Sequence, residues 1–172
     1  PNLSAIVWEM RFPRAVLAFL TGAALSASGT VMQSILKNPL ASSYTLGVSS
    51  GASLCAALVM VTGVTFPLLG SLFTLPAAGF AGGLATVFLA LAFAARLDGK
   101  MENQTVILVG MVFSLFVNAI LTLITALSRE HLQQMVFWQM GGFTGRNWSH
   151  VAVMFPVLVI SMLVLQRFTP EM

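Results

Sequence analysis

Five apolar runs separated by short polar stretches set the pattern of this chain. They cover residues 16–36, 46–64, 75–95, 106–127 and 151–165, the fifth being the shortest. A helix that crosses a bilayer needs about 20 apolar residues, and these runs are of that order. They are too long and too continuous for the alternating strands of a membrane barrel, so each predicts a transmembrane helix. The connections then alternate between two sides. Residues 1–14, 65–74 and 128–150 share one side, and residues 37–45, 96–104 and 166–172 share the other. The expected fold is an all-α, polytopic transmembrane helical bundle filling residues 1–172.

Composition supports lipid as the solvent. Hydrophobic residues make up 58% of the 172 residues and charged residues 8%, against about 25% charged in ordinary soluble domains. Mean hydropathy is +0.93. The net charge of +3 comes from scattered basic residues, with no Lys/Arg-rich stretch, so no nucleic-acid partner is expected. Cys55 is the single cysteine and reads as a small buried hydrophobe. The ten methionines read as packing or lipid-facing residues. Loop charge does not orient the spans: Arg11, Arg14, Arg129 and Arg146 lie on one side, Lys37, Arg96, Lys100 and Arg167 on the other. Trp8, Trp138 and Trp148 fall near span ends on the first side, the interfacial belt position. The chain opens on Pro1 and closes on Met172 just past an apolar run, which reads as a piece of a longer membrane protein.

The chemistry that is missing narrows the function. Glu9, Asp98, Glu102, Glu130 and Glu171 all lie outside the expected spans. Ion-coupled carriers usually bury an ionisable group at membrane depth, so a secondary transporter is disfavoured. Gly99-Lys100 is followed by Met101 and lacks the upstream glycine of a phosphate-binding loop. If transport is ATP-driven, another chain hydrolyses the ATP. His131 and His150 are solitary, and neither a metal-ligand cluster nor a nucleophile–base arrangement is visible, so no metal, cofactor or enzyme activity is expected.

Small and neutral-polar residues inside the spans remain. Gly22, Ser26, Gly29 and Gln33 share one face of the first helix and read as a helix-packing face. Ser114, Asn118, Thr122 and Thr125 share one face of the fourth. An Asn at mid-span is costly against lipid, so this face meets either another helix or a water-filled path. Between the first two runs, Pro39 ends the first helix through its restriction of Asn38. Gly47 and Gly51, with Ser49 and Ser50, carry the polar character into the second run, which points to a close-packed polar constriction.

Four motifs carry a resemblance: "RFPR" at 11–14, "GAALSASGTVMQ" at 22–33, "NPLASSYTLGVSSGAS" at 38–53 and "WQMGGFTGRNW" at 138–148. In this order and spacing the chain resembles the FecCD-type membrane permeases of ABC importers for iron–siderophore, haem and cobalamin. The likeness covers essentially the whole chain. It corresponds to about five spans of a ten-helix permease, without its first helix and last several. The resemblance implies a second permease subunit, two cytoplasmic ATPase subunits that use ATP, an external substrate-binding protein, and a multi-pass place in the bacterial cytoplasmic (inner) membrane. It implies that Arg11 and Arg14 are external and dock on carboxylates of the binding protein. It implies a cytoplasmic gate at Asn38 and Leu40, with Asn103 and Gln104, and a translocation path along the helix that bears Ser114, Asn118, Thr122 and Thr125. The 138–148 motif would be a short external helix and turn, with Trp138 and Trp148 as interfacial anchors. The force-receiving coupling helix of the family would lie past Met172. The runner-up readings are a secondary carrier or channel of another fold, and a structural membrane subunit with no path.

Overall fold

The computed structural model describes residues 3–42, 44–65 and 70–168, with side chains from 73 onward in the last stretch. Pro1, the turn expected around Pro67, and the tail with Glu171 and Met172 lie outside the described residues. Among the described residues every regular element is helical: α1 (Leu3–Leu36), α2 (Val48–Thr62), α3 (Gly70–Leu97), α4 (Asn103–Leu127), the short α5 (Leu132–Met140) and α6 (Trp148–Phe168). The all-α expectation is met. Among the described residues four helices, α1, α3, α4 and α6, are long and apolar enough to cross a membrane.

Helix and apolar run do not coincide at their ends. The first helix starts at Leu3, so residues 3–14 are helical and not a connecting segment. Residues Ile6–Arg11 form a π-type turn in which the Phe12 N–H reaches back to the Val7 carbonyl. Pro13, fully buried, follows at once. A proline ring crowds the carbonyl four residues earlier, and a widened turn relieves that crowding. In contrast α2 is shorter than its apolar run. Left-handed glycines close it at both ends, Gly47 at φ 75° and Gly63 at φ 66°. Its 15 residues span about 22 Å, less than the roughly 30 Å hydrocarbon core. Beyond 151–165, Ser149, His150, Gln166 and Arg167 continue α6, because hydropathy marks contact with lipid while the backbone ladder runs on.

Two compact units are present, Leu36–Gly141 and the pair of segments Pro1–Ile35 and Gly142–Met172. In the first, α2 packs on both α3 and α4, and α5 lies against α2 and α4. The buried residues are mostly small: Ala56, Ala57, Ala78, Ala90 and Ala94, with Gly51, Gly82 and Gly110. Lipid tails are as apolar as leucine, so close backbone approach and dispersion supply the association. The Gly51–Gly82 crossing is the tightest part of that seam. A Cβ on Gly51 would overlap Thr86 Oγ1 and stand 2.5 Å from the Gly82 carbonyl oxygen, and one on Gly82 would stand 2.6 Å from Cys55 Sγ. A second cluster joins Ala57, Met60, Leu121 and Met135, with Trp138 against it. In the other unit Leu17, Leu20 and Val151 form a small core flanked by Val16, Met154 and Leu158. Phe19, Phe88, Leu115 and Phe116 are exposed, the inverse of a water-soluble arrangement.

Candidate functional site

The stretch after α1 is built as a run of turns. Lys37 adopts φ 46°, a left-handed closing position more often held by glycine. Asn38 is half-buried, and its Oδ1 accepts the Leu40 N–H at 2.9 Å while its carbonyl accepts the Ala41 N–H at 3.0 Å. Leu40 stands 86% exposed at the tip. The Thr45 hydroxyl donates to the Ser42 carbonyl, and Gly47 N–H donates to Tyr44 O at 3.1 Å. This folded turn sits directly on α4. A Cβ at Gly110 would be 2.5 Å from the Thr45 carbonyl oxygen and 3.1 Å from Leu46 Cα. One helical turn further on, Ser50 Oγ and Ser114 Oγ are 3.3 Å apart, and Ser50 also donates to the Gly47 carbonyl at 2.9 Å. Gly47 and Gly51 thus stand in the seam, whereas Gly22 and Gly29 have nothing within 4 Å of a built Cβ, and Ser26 and Gln33 are exposed.

Asn103 opens α4 half-buried, and Gln104 beside it is exposed. The loop before them is organised by Asp98, placed outside the spans by sequence but not marked as a loop organiser, although its Asp-Gly pair is a turn signal. Its carboxylate accepts the N–H groups of Lys100 at 3.0 Å and Glu102 at 2.9 Å, and the Thr105 hydroxyl at 3.3 Å. The hydrogen bond from Glu102 N–H, then that from Lys100 N–H, holds the Asp98 carboxyl below the usual carboxylate range against the opposing effect of desolvation, with the Thr105 hydroxyl adding to the lowering. A carboxylate with a lowered folded-state pKa orders the loop fully above its unfolded value and loses that contribution as the pH falls through the folded value. Asp98→Asn is therefore expected to speed amide exchange at Lys100 and Glu102 several-fold at neutral pH. Wild type should approach the variant in acid, after correction for intrinsic rates. Identical exchange in both proteins at neutral pH would remove Asp98 as the loop's organiser.

The α4 polar face divides in two. Ser114 is half-buried against Ser50. Asn118 and Thr122 are exposed and Thr125 half-exposed, and these three line an open cleft of about 560 Å³ between α4 and α5. Arg129 and Gln139 line the same cleft, and sequence reasoning missed both because they lie beyond α4. Trp138 packs against the helix seam, with Cζ2 3.3 Å from where a Cβ on Gly79 would stand.

Arg11 is exposed at the end of the π-type turn, and Arg14 is half-buried with its Nε lacking a hydrogen-bond partner. The segment bearing them is fastened by aromatic rings. Trp8 stacks on Phe12 at 5.2 Å, and Trp148 meets both at 5.5 and 5.7 Å. The Trp148 indole N–H donates to the Trp8 carbonyl at 3.1 Å. That carbonyl has lost its helical donor, since the Phe12 N–H goes to Val7 and Pro13 has no N–H to give.

A helical seam of small residues, a turn seated on a polar-faced helix and four described helices long and apolar enough to cross a membrane define a polytopic helical membrane protein. The sequence profile of the FecCD transport family matches residues 1–172, and the chain belongs to that family. It is 41% identical over 165 residues to the uncharacterized ABC transporter permease protein YvrB of Bacillus subtilis, covering 96% of this chain and 46% of that protein. It is 36% identical over 153 residues to the vitamin B12 import system permease protein BtuC of Pectobacterium atrosepticum, covering 88% and 44%. A solved structure of a protein assigned as a metal-chelate-type ABC transporter, in an inward-facing conformation, superposes with a TM-score of 0.80 at 28% identity, over 98% of this chain and 53% of that one. The chain thus spans about half the length of these relatives.

Proposed function

We propose that the full-length protein is the permease subunit of an ATP-driven importer. It passes a metal chelate, of the iron–siderophore type, from an external substrate-binding protein to the cytoplasm. A second permease subunit and two ATPase subunits complete it, and the bacterial inner membrane houses it. The observation that carries this reading is the seating of Thr45 and Leu46, at the end of the stretch that begins with the Asn38–Leu40 turn, on Gly110 of α4, the helix whose polar face lines the open cleft. A gate fastened to the wall of a path is what an alternating-access pump requires. Family membership sets aside a secondary carrier of another fold. The relatives' cargo is named as vitamin B12 for BtuC and as a metal chelate for the solved transporter, and both are large metal complexes. In this reading Asn103 and Gln104 complete the gate. The open faces of Gly22, Ser26, Gly29 and Gln33 receive other helices of the assembly. Arg11 and Arg14 present guanidinium forks to carboxylates of the binding protein, a pairing that suits bidentate recognition and steers encounter.

The test is charge reversal at Arg11 and Arg14 to Glu in the full-length protein, reconstituted with its ATPase in proteoliposomes. ATPase stimulation and uptake are measured with binding protein loaded with ferric chelate, and in parallel with cobalamin. Stimulation is expected to fall at least roughly tenfold, about the effect of losing a charge-assisted pair, with ATPase activity in the absence of binding protein as the reference. Unchanged stimulation and uptake would leave the two arginines as interfacial anchors and reopen the orientation. Transport of cobalamin and not of the ferric chelate would move the cargo to the corrinoids.

A further inference from the structure

The cleft between α4 and α5 carries a charge that the neutral face of α4 alone does not. Its volume of about 560 Å³ is within the range of small-molecule sites, roughly 300–1,000 Å³. Asn118, Thr122 and Thr125 line it from α4, Gln139 from α5, and Arg129 from the turn between them. The two threonines have spent their hydroxyl protons on the carbonyls of Asn118 and Leu121, at 2.8 and 2.7 Å. Toward the cleft they can only accept. The unspent donors are the side-chain amides of Asn118 and Gln139 and the guanidinium of Arg129, which make no hydrogen bond or ion pair among the described residues. No Asp or Glu lines the cleft. A cation just past a helix C-terminus is favoured by the helix dipole, which alone would account for an Arg at position 129. It would not by itself place two exposed side-chain amides, Asn118 and Gln139, on the same walls as that charge.

We infer that this cleft is an anion-selective subsite that takes the oxygen-rich, negatively charged rim of a metal chelate. Arg129 supplies the charge, and Asn118 and Gln139 supply neutral donors. The inference rests on the reading of α4 as the wall of a path, and adds to it the charge class of the cargo. One cation in an open cleft binds weakly, which suits a site that must release what it holds.

The test uses the full-length permease with its ATPase in nanodiscs of zwitterionic lipid, without binding protein. The probes are a ferric tricatecholate, a trianion, and a neutral ferric trihydroxamate, with binding read by equilibrium dialysis of labelled iron. Wild type is expected to bind the trianion about tenfold more tightly, the effect of one charge-assisted hydrogen bond at a half-open site. Arg129→Gln should bring the ratio near one, and Arg129→Lys should keep most of it. A wild-type ratio near one, an unmeasurably weak trianion, or a ratio untouched by Arg129→Gln overturns the inference and leaves Arg129 as a helix-end cation. A second readout separates the two layers. Asn118→Cys, with the native cysteines replaced, is labelled by a charged thiol reagent in the presence of each chelate. Stronger protection by the trianion supports the subsite. Equal protection by both keeps the path and removes its charge selectivity. No protection by either removes both.

Discussion

Gly51→Val should cost the full-length protein most of its folded yield and lower its thermal midpoint in nanodiscs by more than any single substitution on the lipid-facing surface. The reason is geometric. At Gly51 even the first added carbon meets Thr86 Oγ1 and the Gly82 carbonyl oxygen. Thr86 is itself fixed, since its hydroxyl donates to Gly82 O at 2.9 Å within the buried seam. Overpacking a core usually costs about 1–3 kcal/mol, because side chains shift to make room. Here part of the obstacle is backbone, which cannot rotate away, so the loss should reach or pass the upper end of that range, ~3 kcal/mol. Helix association in lipid has no hydrophobic reserve to offset a separation of α2 from α3. Gly99→Ala is the matched control, because nothing lies within 4 Å of a Cβ there. A Gly51→Val protein that melts with wild type would mean that α2 and α3 do not cross as closely as described.

Gly110→Val should act differently, on transport more than on folding. The added side chain would strike Thr45 O, 2.5 Å from the built Cβ, and Leu46 Cδ2 and Cα at 3.0 and 3.1 Å. These atoms belong to the turn and not to a helix, so the turn can lift while the Gly51–Gly82 crossing survives. Lifting it takes Thr45 and Leu46 off α4, frees the stretch that begins at Asn38 and Leu40, and strains the Ser50–Ser114 contact one turn along. If this turn is the cytoplasmic gate, uptake should fall at least roughly tenfold, or ~1.4 kcal/mol, with only a modest change in thermal midpoint. Labelling of Leu40→Cys from the cytoplasmic side should change at the same time. Normal uptake together with unaltered labelling would sever the link between the turn and the helix.

What could be read from the chain alone followed the medium. Lipid demands apolar side chains at the surface, so the runs that became α1, α3, α4 and α6 stood out by hydropathy alone. The same criterion blurred α2, because its ends are set by left-handed backbone at Gly47 and Gly63, which hydropathy does not register. The π-type opening of α1 was hidden likewise, since its cause is the ring of Pro13 acting on the previous turn. Among the candidate site residues, the α4 stripe could be placed on one face by spacing. Its division into a serine that touches α2 and a lower part that lines a cleft depends on which neighbours arrive, and spacing is silent on neighbours. Arg129 and Gln139 show the same limit, for they join Asn118 only because the chain doubles back through α5. Trp138 reads as an interfacial residue by type, and its contact with the bare surface of Gly79 could not be read from type alone.

The bond from the Trp148 indole to the Trp8 carbonyl has a topological consequence. Two residues 140 positions apart meet within one hydrogen bond, so they lie at the same membrane depth. The chain that leaves Trp8 must return to the leaflet it left, and a path that returns makes an even number of passages. Among the described residues between these two tryptophans, α1, α3 and α4 are long and apolar enough to cross a membrane. If each of them crosses once, three is odd, and parity then asks for a fourth passage. On that count the 15-residue α2 is expected to cross as well, a passage that its length alone would not suggest.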